Sequence, residues 1–190
     1  MSRRGIPFVV SGPSGVGKST IVRQVIANDR GVAFSISHTT RRPRAGEKDG
    51  VDYFFVDRAE FQELIAADAF LEHAEYQGNL YGTSRAAVAR PTAEGYDLIL
   101  EVEIQGAQQL RKRLPEAVRI FIEPPSFEIL EERLRGRSTE TDDVMRARLE
   151  RAREELAYAD QCHHRIVNES IDAAVDEFLE IVREARKERG

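Results

Sequence analysis

The feature that most constrains this chain is a join near its start. An apolar run, Ile6-Pro7-Phe8-Val9-Val10, passes through Ser11 into Gly12-Pro13-Ser14-Gly15-Val16-Gly17-Lys18-Ser19. Thr20-Ile21-Val22-Arg23-Gln24-Val25-Ile26 then follows at helical spacing. A short, uniformly apolar run reads as a strand buried on both faces. The middle segment fits G-x-x-x-x-G-K-[ST], the phosphate-loop pattern, in the strand-before, helix-after setting it requires. Its glycines let backbone N–H groups turn inward around phosphate oxygens. The helix that follows presents an N-terminus with partial positive charge. Gly12 to Thr20 is therefore expected to wrap a nucleoside triphosphate. Lys18 would reach the outer phosphates, and the Ser19 hydroxyl would ligate Mg²⁺ directly. The loop does not say what is done with the triphosphate, because many activities share it. An N-K-x-D guanine motif of the GTPase kind is missing; Asn168-Glu169 comes nearest and lacks the lysine.

The rest of the chain extends the pattern. Further apolar runs lie at Val32 to Ile36, Asp97 to Val102 and Val118 to Ile122, and helical spacing follows at Ile104 to Leu114 and Phe127 to Leu134. Strands alternating with helices imply an α/β fold of three layers around a mainly parallel central sheet. Val51 to Tyr81 reads differently: short strands at Asp52 to Val56, Phe70 to Tyr76 and Asn79 to Tyr81 surround one helix, Arg58 to Ala67. This is expected to be a small mixed insert beside the main sheet. Gly136 to Asp143 is polar and suits a lid. Ile171, Ala174, Val175, Phe178, Leu179 and Val182 form an apolar helical stripe behind Ser170, an N-cap residue.

Composition removes other classes. The 190 residues carry 28 Lys and Arg against 33 Asp and Glu, a net charge of -5, which disfavours a dedicated nucleic-acid binder. The single cysteine, Cys162, excludes an internal disulfide and a thiolate metal cage. No apolar run is long enough for a membrane span, and the N-terminus does not read as a signal peptide. A cytoplasmic protein is expected, and oligomeric state is left open.

A second anion site is legible. Ser37-His38-Thr39-Thr40-Arg41-Arg42-Pro43-Arg44 places three arginines within four positions after the second predicted strand. The segment reads either as a solvated basic loop or as a phosphate cradle, since arginine makes bidentate phosphate contacts. The cradle gains weight because ligands of open α/β sheets bind at the carboxyl edge of the strands. Tyr53 and Tyr81 add hydroxyls. Glu72, among Phe70, Leu71 and Tyr76, is either an ordinary strand residue or a reader of a base edge. Guanine presents two adjacent donors, N1–H and the 2-amino group, which one carboxylate can accept together; adenine has no such pair. Thr83 could donate to the guanine O6.

Taken in order, Gly12 to Thr20, Ser37 to Arg44 with Gly46-Glu47, Gly50 to Val56, Gly78 to Thr83, Gln105-Gly106-Ala107, Pro124-Pro125-Ser126 and Val167-Asn168 resemble the guanylate kinases along nearly the whole chain. The resemblance implies ATP-dependent phosphorylation of GMP, and of dGMP, to the diphosphate, with Mg²⁺ as cofactor. It implies one domain: a core of residues 1–36, 84–135 and 144–190, a GMP-binding insert at 37–83 and a lid at 136–143. It also implies roles. Arg41, Arg44, Tyr53 and Tyr81 would hold the GMP phosphate, and Glu72 and Thr83 would read guanine beside Ser37, Glu101 and Glu103. Glu103 stands where the family commonly has aspartate, so its carboxylate reaches a methylene further. Glu101 would also face Mg²⁺ through water, or else is a strand-end charge. Arg133 would lie on the adenine side and Arg137 would reach the phosphates. Lys18, Arg41, Arg137 and Arg148 would act on the transferring phosphoryl group.

Two of these residues have other readings from spacing. Arg148 borders the stripe Met145, Leu149, Ala152, Leu156, so it also reads as a residue whose stem packs while its head meets water. Asn168, which the resemblance implies would contact the ATP adenine, stands before a helix and reads equally as a turn or capping residue. Arg146 and Arg151 lie further from the stripe and are expected to face solvent. Two rivals remain: a P-loop kinase for another acceptor, and a protein-interaction module of the same fold. The intact Gly17-Lys18-Ser19 argues against the second.

Overall fold

The structure is a computed structural model that describes residues 3–76, 78–136 and 142–189, with only the backbone of Asp142 described. In chain order its elements are β1 (Pro7–Ser11), α1 (Lys18–Asn28), β2 (Val32–Phe34), β3 (His38–Thr39), β4 (Phe54–Phe55), α2 (Arg58–Ala66), β5 (Phe70–Tyr76), β6 (Asn79–Ser84) and α3 (Arg85–Ala93). Then come β7 (Asp97–Glu101), α4 (Ile104–Arg113), β8 (Val118–Glu123), α5 (Phe127–Arg135), α6 (Asp142–Leu156), a 3₁₀ turn (Ala157–Gln161), β9 (His164–Val167) and α7 (Ile171–Arg189).

The central sheet has the order β2-β7-β1-β8-β9, with every pairing parallel. All five residues of β1 are buried, as its apolar run requires. Alternation along the strands divides the core in two. Phe8, Val10, Ile99, Ile120 and Ile122 join the cluster under α1 and α7; Val9, Leu98, Leu100 and Phe121 join the one under α3 and α4. Ala174, Val175, Phe178, Leu179 and Val182 bury the expected stripe of α7, and the Ser170 hydroxyl accepts from the Ala173 N–H at 3.2 Å. Full burial of a side chain such as Phe178 contributes about 1.5–3 kcal/mol.

The small sheet has the order β4-β3-β6-β5 and is mixed: β3 runs parallel to β4, while β6 is antiparallel to both β3 and β5. Phe61 of α2 stacks on Phe70 at 4.5 Å, giving the insert its own core. Gln109 of α4 ties the insert to the main body. Its side chain accepts from the His73 N–H at 3.2 Å and donates to the His73 carbonyl at 2.7 Å, covering the free edge of β5.

Several elements differ from the sequence reading, among them β6, which runs on from Tyr81 to Ser84. β2 stops at Phe34 instead of Ile36. The expected strand from Asp52 to Val56 shrinks to Phe54–Phe55, because residues 48 to 53 spend their backbone bonds on turns: Val51 N–H to Lys48 O, and Gly50 N–H to Tyr53 O. Helix α3 was not anticipated; Pro91 in its last turn masks it, although the Ser84 hydroxyl caps its start by accepting from Ala87 N–H at 3.2 Å.

Candidate active site

The phosphate loop leaves the buried end of β1 and enters α1 through Gly17. Gly17 has φ of 102°, and a Cβ there would stand 2.6 Å from the Asn168 amide nitrogen. Asn168 follows β9, is almost wholly buried, and donates from Nδ2 to the Val16 carbonyl at 2.7 Å, bracing the loop from beneath. Arg133 donates to the Asn168 carbonyl at 3.1 Å. Lys18 Nζ is held by the carbonyls of Gly12, at 2.6 Å, and Pro13, at 3.1 Å. Arg148 of α6 donates to the Ser14 hydroxyl at 3.2 Å, so its guanidinium lies at the loop. Ser19 donates its hydroxyl hydrogen to Glu101 Oε1 at 2.6 Å, joining the head of α1 to the end of β7. Thr20 lies in the first helical turn, exposed. Arg137 lies outside the described residues, as does most of the expected lid.

Across the cleft, a bulge in β5 sets the second site. Phe70 pairs with Ser84 but Glu72 pairs with Thr83, so Leu71 is the extra residue and turns into the main core. This re-aims Glu72: Thr83 donates its hydroxyl to Glu72 Oε1 at 2.7 Å, and Ser37 stands 3.2 Å from the Thr83 oxygen. Burial pushes the Glu72 carboxyl above the usual carboxylate range, although the bonds from Thr83 oppose the shift. Arg41 lies over the Tyr53 ring at 5.4 Å and pairs with Glu47 at 2.8 Å. Tyr81 meets Tyr53 edge-on at 6.1 Å. Glu47 also accepts from the Arg44 N–H at 2.7 Å, and its bond to Arg41 holds its carboxyl low.

Both sites open on one cleft of about 580 Å³, lined by Lys18, Ser19 and Glu101 on one side and by Arg41, Tyr81 and Glu72 on the other. Ser37, Arg44, Tyr53 and Glu103 line it too, while Thr83 lies buried behind Glu72.

The phosphate-loop sequence and a buried carboxylate thus face one another across a single cleft. The guanylate kinase family model matches residues 4–185. The chain belongs to the guanylate kinase family. Relatives include the guanylate kinase of Neisseria gonorrhoeae, 48% identical over 98% of this chain and 91% of that one. The guanylate kinase of Gloeobacter violaceus is 51% identical over 89% and 82%. The solved guanylate kinase of Anaplasma phagocytophilum is 34% identical, covers 96% of this chain and 87% of that one, and superposes with a TM-score of 0.76. ATP-dependent phosphorylation of GMP to GDP is the activity of this kinase family.

Four features of the site had no such role in the sequence reading. Glu47 anchors Arg41. Gly106 lets the first turn of α4 approach Glu72, since a Cβ there would stand 2.6 Å from Glu72 Oε2. Arg151 faces solvent as expected, and its guanidinium also lies over the Tyr76 ring at 5.5 Å. Glu155 is 8% exposed and pairs with Arg151 at 3.3 Å. Helical spacing held the signal for the last two: Arg148, Arg151 and Glu155 fall at i, i+3 and i+7. Burial first, then the Glu103 charge, raises the Glu155 carboxyl.

Proposed function

We propose that this cleft moves the γ-phosphoryl group of ATP in line onto the phosphate of GMP, leaving ADP and GDP. The observation that carries the reading is one cleft shared by Lys18 and Ser19 of the phosphate loop and by Glu72 of the insert. Glu72 accepts the guanine N1–H and 2-amino donors and Thr83 meets O6, with Ser37 and Glu103 at the edge of the base. Arg41, Arg44, Tyr53 and Tyr81 hold the acceptor phosphate. Arg41 is already poised by Glu47, so little of its entropy remains to be lost when phosphate arrives.

Little covalent chemistry falls to the protein; it aligns donor and acceptor and stabilises the spreading negative charge. The GMP phosphate is anionic at neutral pH, so no strong base is needed. Lys18, Arg41, Arg137 and Arg148 supply positive charge around the moving group. Gly12 to Thr20 wrap the ATP phosphates, Arg133 and Asn168 flank its far side, and residues 136–143 close over it to exclude water.

Ser19 and Glu101, 2.6 Å apart, form a pair of hard oxygen donors that fits Mg²⁺, which takes one or two protein oxygens together with substrate phosphates. Bound there, the ion would neutralise charge on the outer phosphates. Among the described residues no three His, Cys, Asp or Glu side chains gather into a metal cage, and no helix is long and apolar enough to cross a membrane. We place the protein in the cytoplasm.

The test is ADP release with Mg·ATP and, in turn, GMP, AMP, CMP, UMP and dTMP. Turnover with GMP and little with the others is expected. Equal turnover with AMP would remove the guanine-reading role of Glu72.

A further inference from the structure

Helix α6 presents Arg148, Arg151 and Glu155 along one face, beside its apolar stripe. Arg148 bonds the phosphate loop at Ser14. Arg151 reaches the other way: its guanidinium carbon stands 5.5 Å from the centre of the Tyr76 ring, and its Nε stands 3.3 Å from Glu155 Oε1. Glu155 is buried although it is charged, and its carboxylate lies toward the Ser14 backbone N–H of the phosphate loop. Tyr76 ends β5, and Glu72, Ala74 and Tyr76 alternate along the face of that strand that lines the cleft. The strand that carries the base reader therefore also carries the ring on which Arg151 rests.

We propose that Tyr76, Arg151 and Glu155 are positioning residues that form a latch from the insert to the phosphate loop, through which bound GMP tightens the binding of the adenine nucleotide. The proposal rests on the GMP reading given above. Guanine held by Glu72 fixes β5, and with it Tyr76. The fixed ring holds the Arg151 guanidinium, a cation over an aromatic face. Arg151 in turn orients Glu155, which holds the front of the phosphate loop. Glu155 carries a charge kept away from water, so it favours whichever arrangement keeps Arg151 at hand. Linkage makes the effect mutual: the adenine nucleotide tightens GMP binding by the same factor.

The experiment titrates Mg·ADP by calorimetry with and without saturating GMP, a pair that cannot react. In the wild type, GMP is expected to tighten ADP about tenfold, within the usual range for coupled sites. Arg151→Met should bind ADP alone within about twofold of wild type and lose most of the GMP enhancement, because a half-exposed side chain is removed without opening the core. Tyr76→Phe keeps the aromatic face and should keep the enhancement, whereas Tyr76→Leu should lose it. Glu155→Gln keeps an acceptor for the Ser14 N–H but loses the charge that pairs with Arg151, and should lose the enhancement too. A wild type without coupling, or an Arg151→Met variant with full coupling, overturns the latch. Wild-type turnover of GMP in the same preparation separates the two readings: without it the GMP assignment fails and takes the latch with it, and with it an intact coupling in Arg151→Met sinks the latch alone.

Discussion

Asp97 at the foot of the central sheet and Glu72 in the small sheet are both buried carboxylates, 0% and 6% exposed, and the fold surrounds them in opposite ways. Asp97 takes two bonds from Arg3, at 2.8 and 2.9 Å, one from the Ile6 N–H at 2.7 Å and one from Arg186 Nε at 2.6 Å. Arg186 reaches on to Asp29 at 2.6 Å, so one carboxylate ties the start of the chain, β7, α7 and the turn after α1. Glu72 receives what Thr83 offers, its hydroxyl at 2.7 Å, while Gly106 of α4 leaves just enough room for its other oxygen. A buried charge is costly unless fully paired. The fold meets that cost at Asp97 and leaves it largely standing at Glu72, where paired donors on a ligand would meet it. Saturation marks a structural carboxylate and want of donors marks a binding one.

The largest expected break in this contrast is Glu72→Gln. Charged hydrogen bonds to the base are lost, each about 1.5–3 kcal/mol, so kcat/KM for GMP should fall roughly a thousandfold. Mg·ADP affinity in the absence of GMP should stay within about twofold. The melting temperature should hold or rise, because an underserved charge has been removed. If ADP binding falls as far as GMP use, Glu72 supports the whole cleft and does not read the base.

Asp97→Asn should do the reverse. Removing one partner from a buried ionic network costs roughly 3–5 kcal/mol, here stranding Arg3 and Arg186. For a chain of this size that lowers the melting temperature by about 10 °C. Turnover of GMP well below that temperature should change little. A melting curve that overlays the wild type would show that Asp97 is not the keystone.

The two carboxylates were unequally legible in the sequence. Glu72 stood out because a charge among Phe70, Leu71 and Tyr76 is unusual, and the motifs around it resemble a known family. The parallel sheet and α7 were legible because hydrophobic period is local information. Asp97 read only as the first residue of an apolar run, since its partners lie 94 and 89 positions away. The bulge at Leu71 was hidden for the same reason: register is set by two strands together. Arg151 is exposed as expected, but its Tyr76 partner was hidden, because spacing shows where a stem starts on a helix and not where a long side chain ends. Gly106 was noticed within a motif, but the need for a glycine there appears only when Glu72 is brought against α4.

Gly106→Ala sharpens the comparison with a smaller change. A Cβ 2.6 Å from Glu72 Oε2 and 3.2 Å from its Cδ must push the carboxylate aside. KM for GMP should rise about tenfold, the effect of misplacing one charged contact. Alanine in the helix gains about 1 kcal/mol over glycine, which offsets the crowding, so the melting temperature should move little. A KM within twofold of wild type would mean that Glu72 relocates freely and that its present aim is not what reads the base.

The smallest effect, and the most direct reading of the contrast, is in protons. Asp29 at the saturated network has its carboxyl held low, chiefly by the Arg186 bond. Its contribution to stability is therefore present above the unfolded pKa of about 3.9 and is lost as pH falls through the lower folded value. Glu72 is raised by burial, so its sign is opposite. Its contribution is fully present below the unfolded pKa of about 4.3 and is lost as pH rises through the higher folded value. GMP donors bind the ionised carboxylate and draw that pKa back down. Binding must then expel a proton at pH values between the bound and free pKa, and GMP affinity must weaken as pH falls through the free-state value. Calorimetric titration with GMP in two buffers of different ionisation enthalpy measures the release, which should approach one proton in that window. Glu72→Gln should abolish it, and Asp97→Asn, tested at a temperature where it remains folded, should leave it intact. Equal release from wild type and Glu72→Gln would assign the proton to another group and remove the claim that Glu72 waits for its donors.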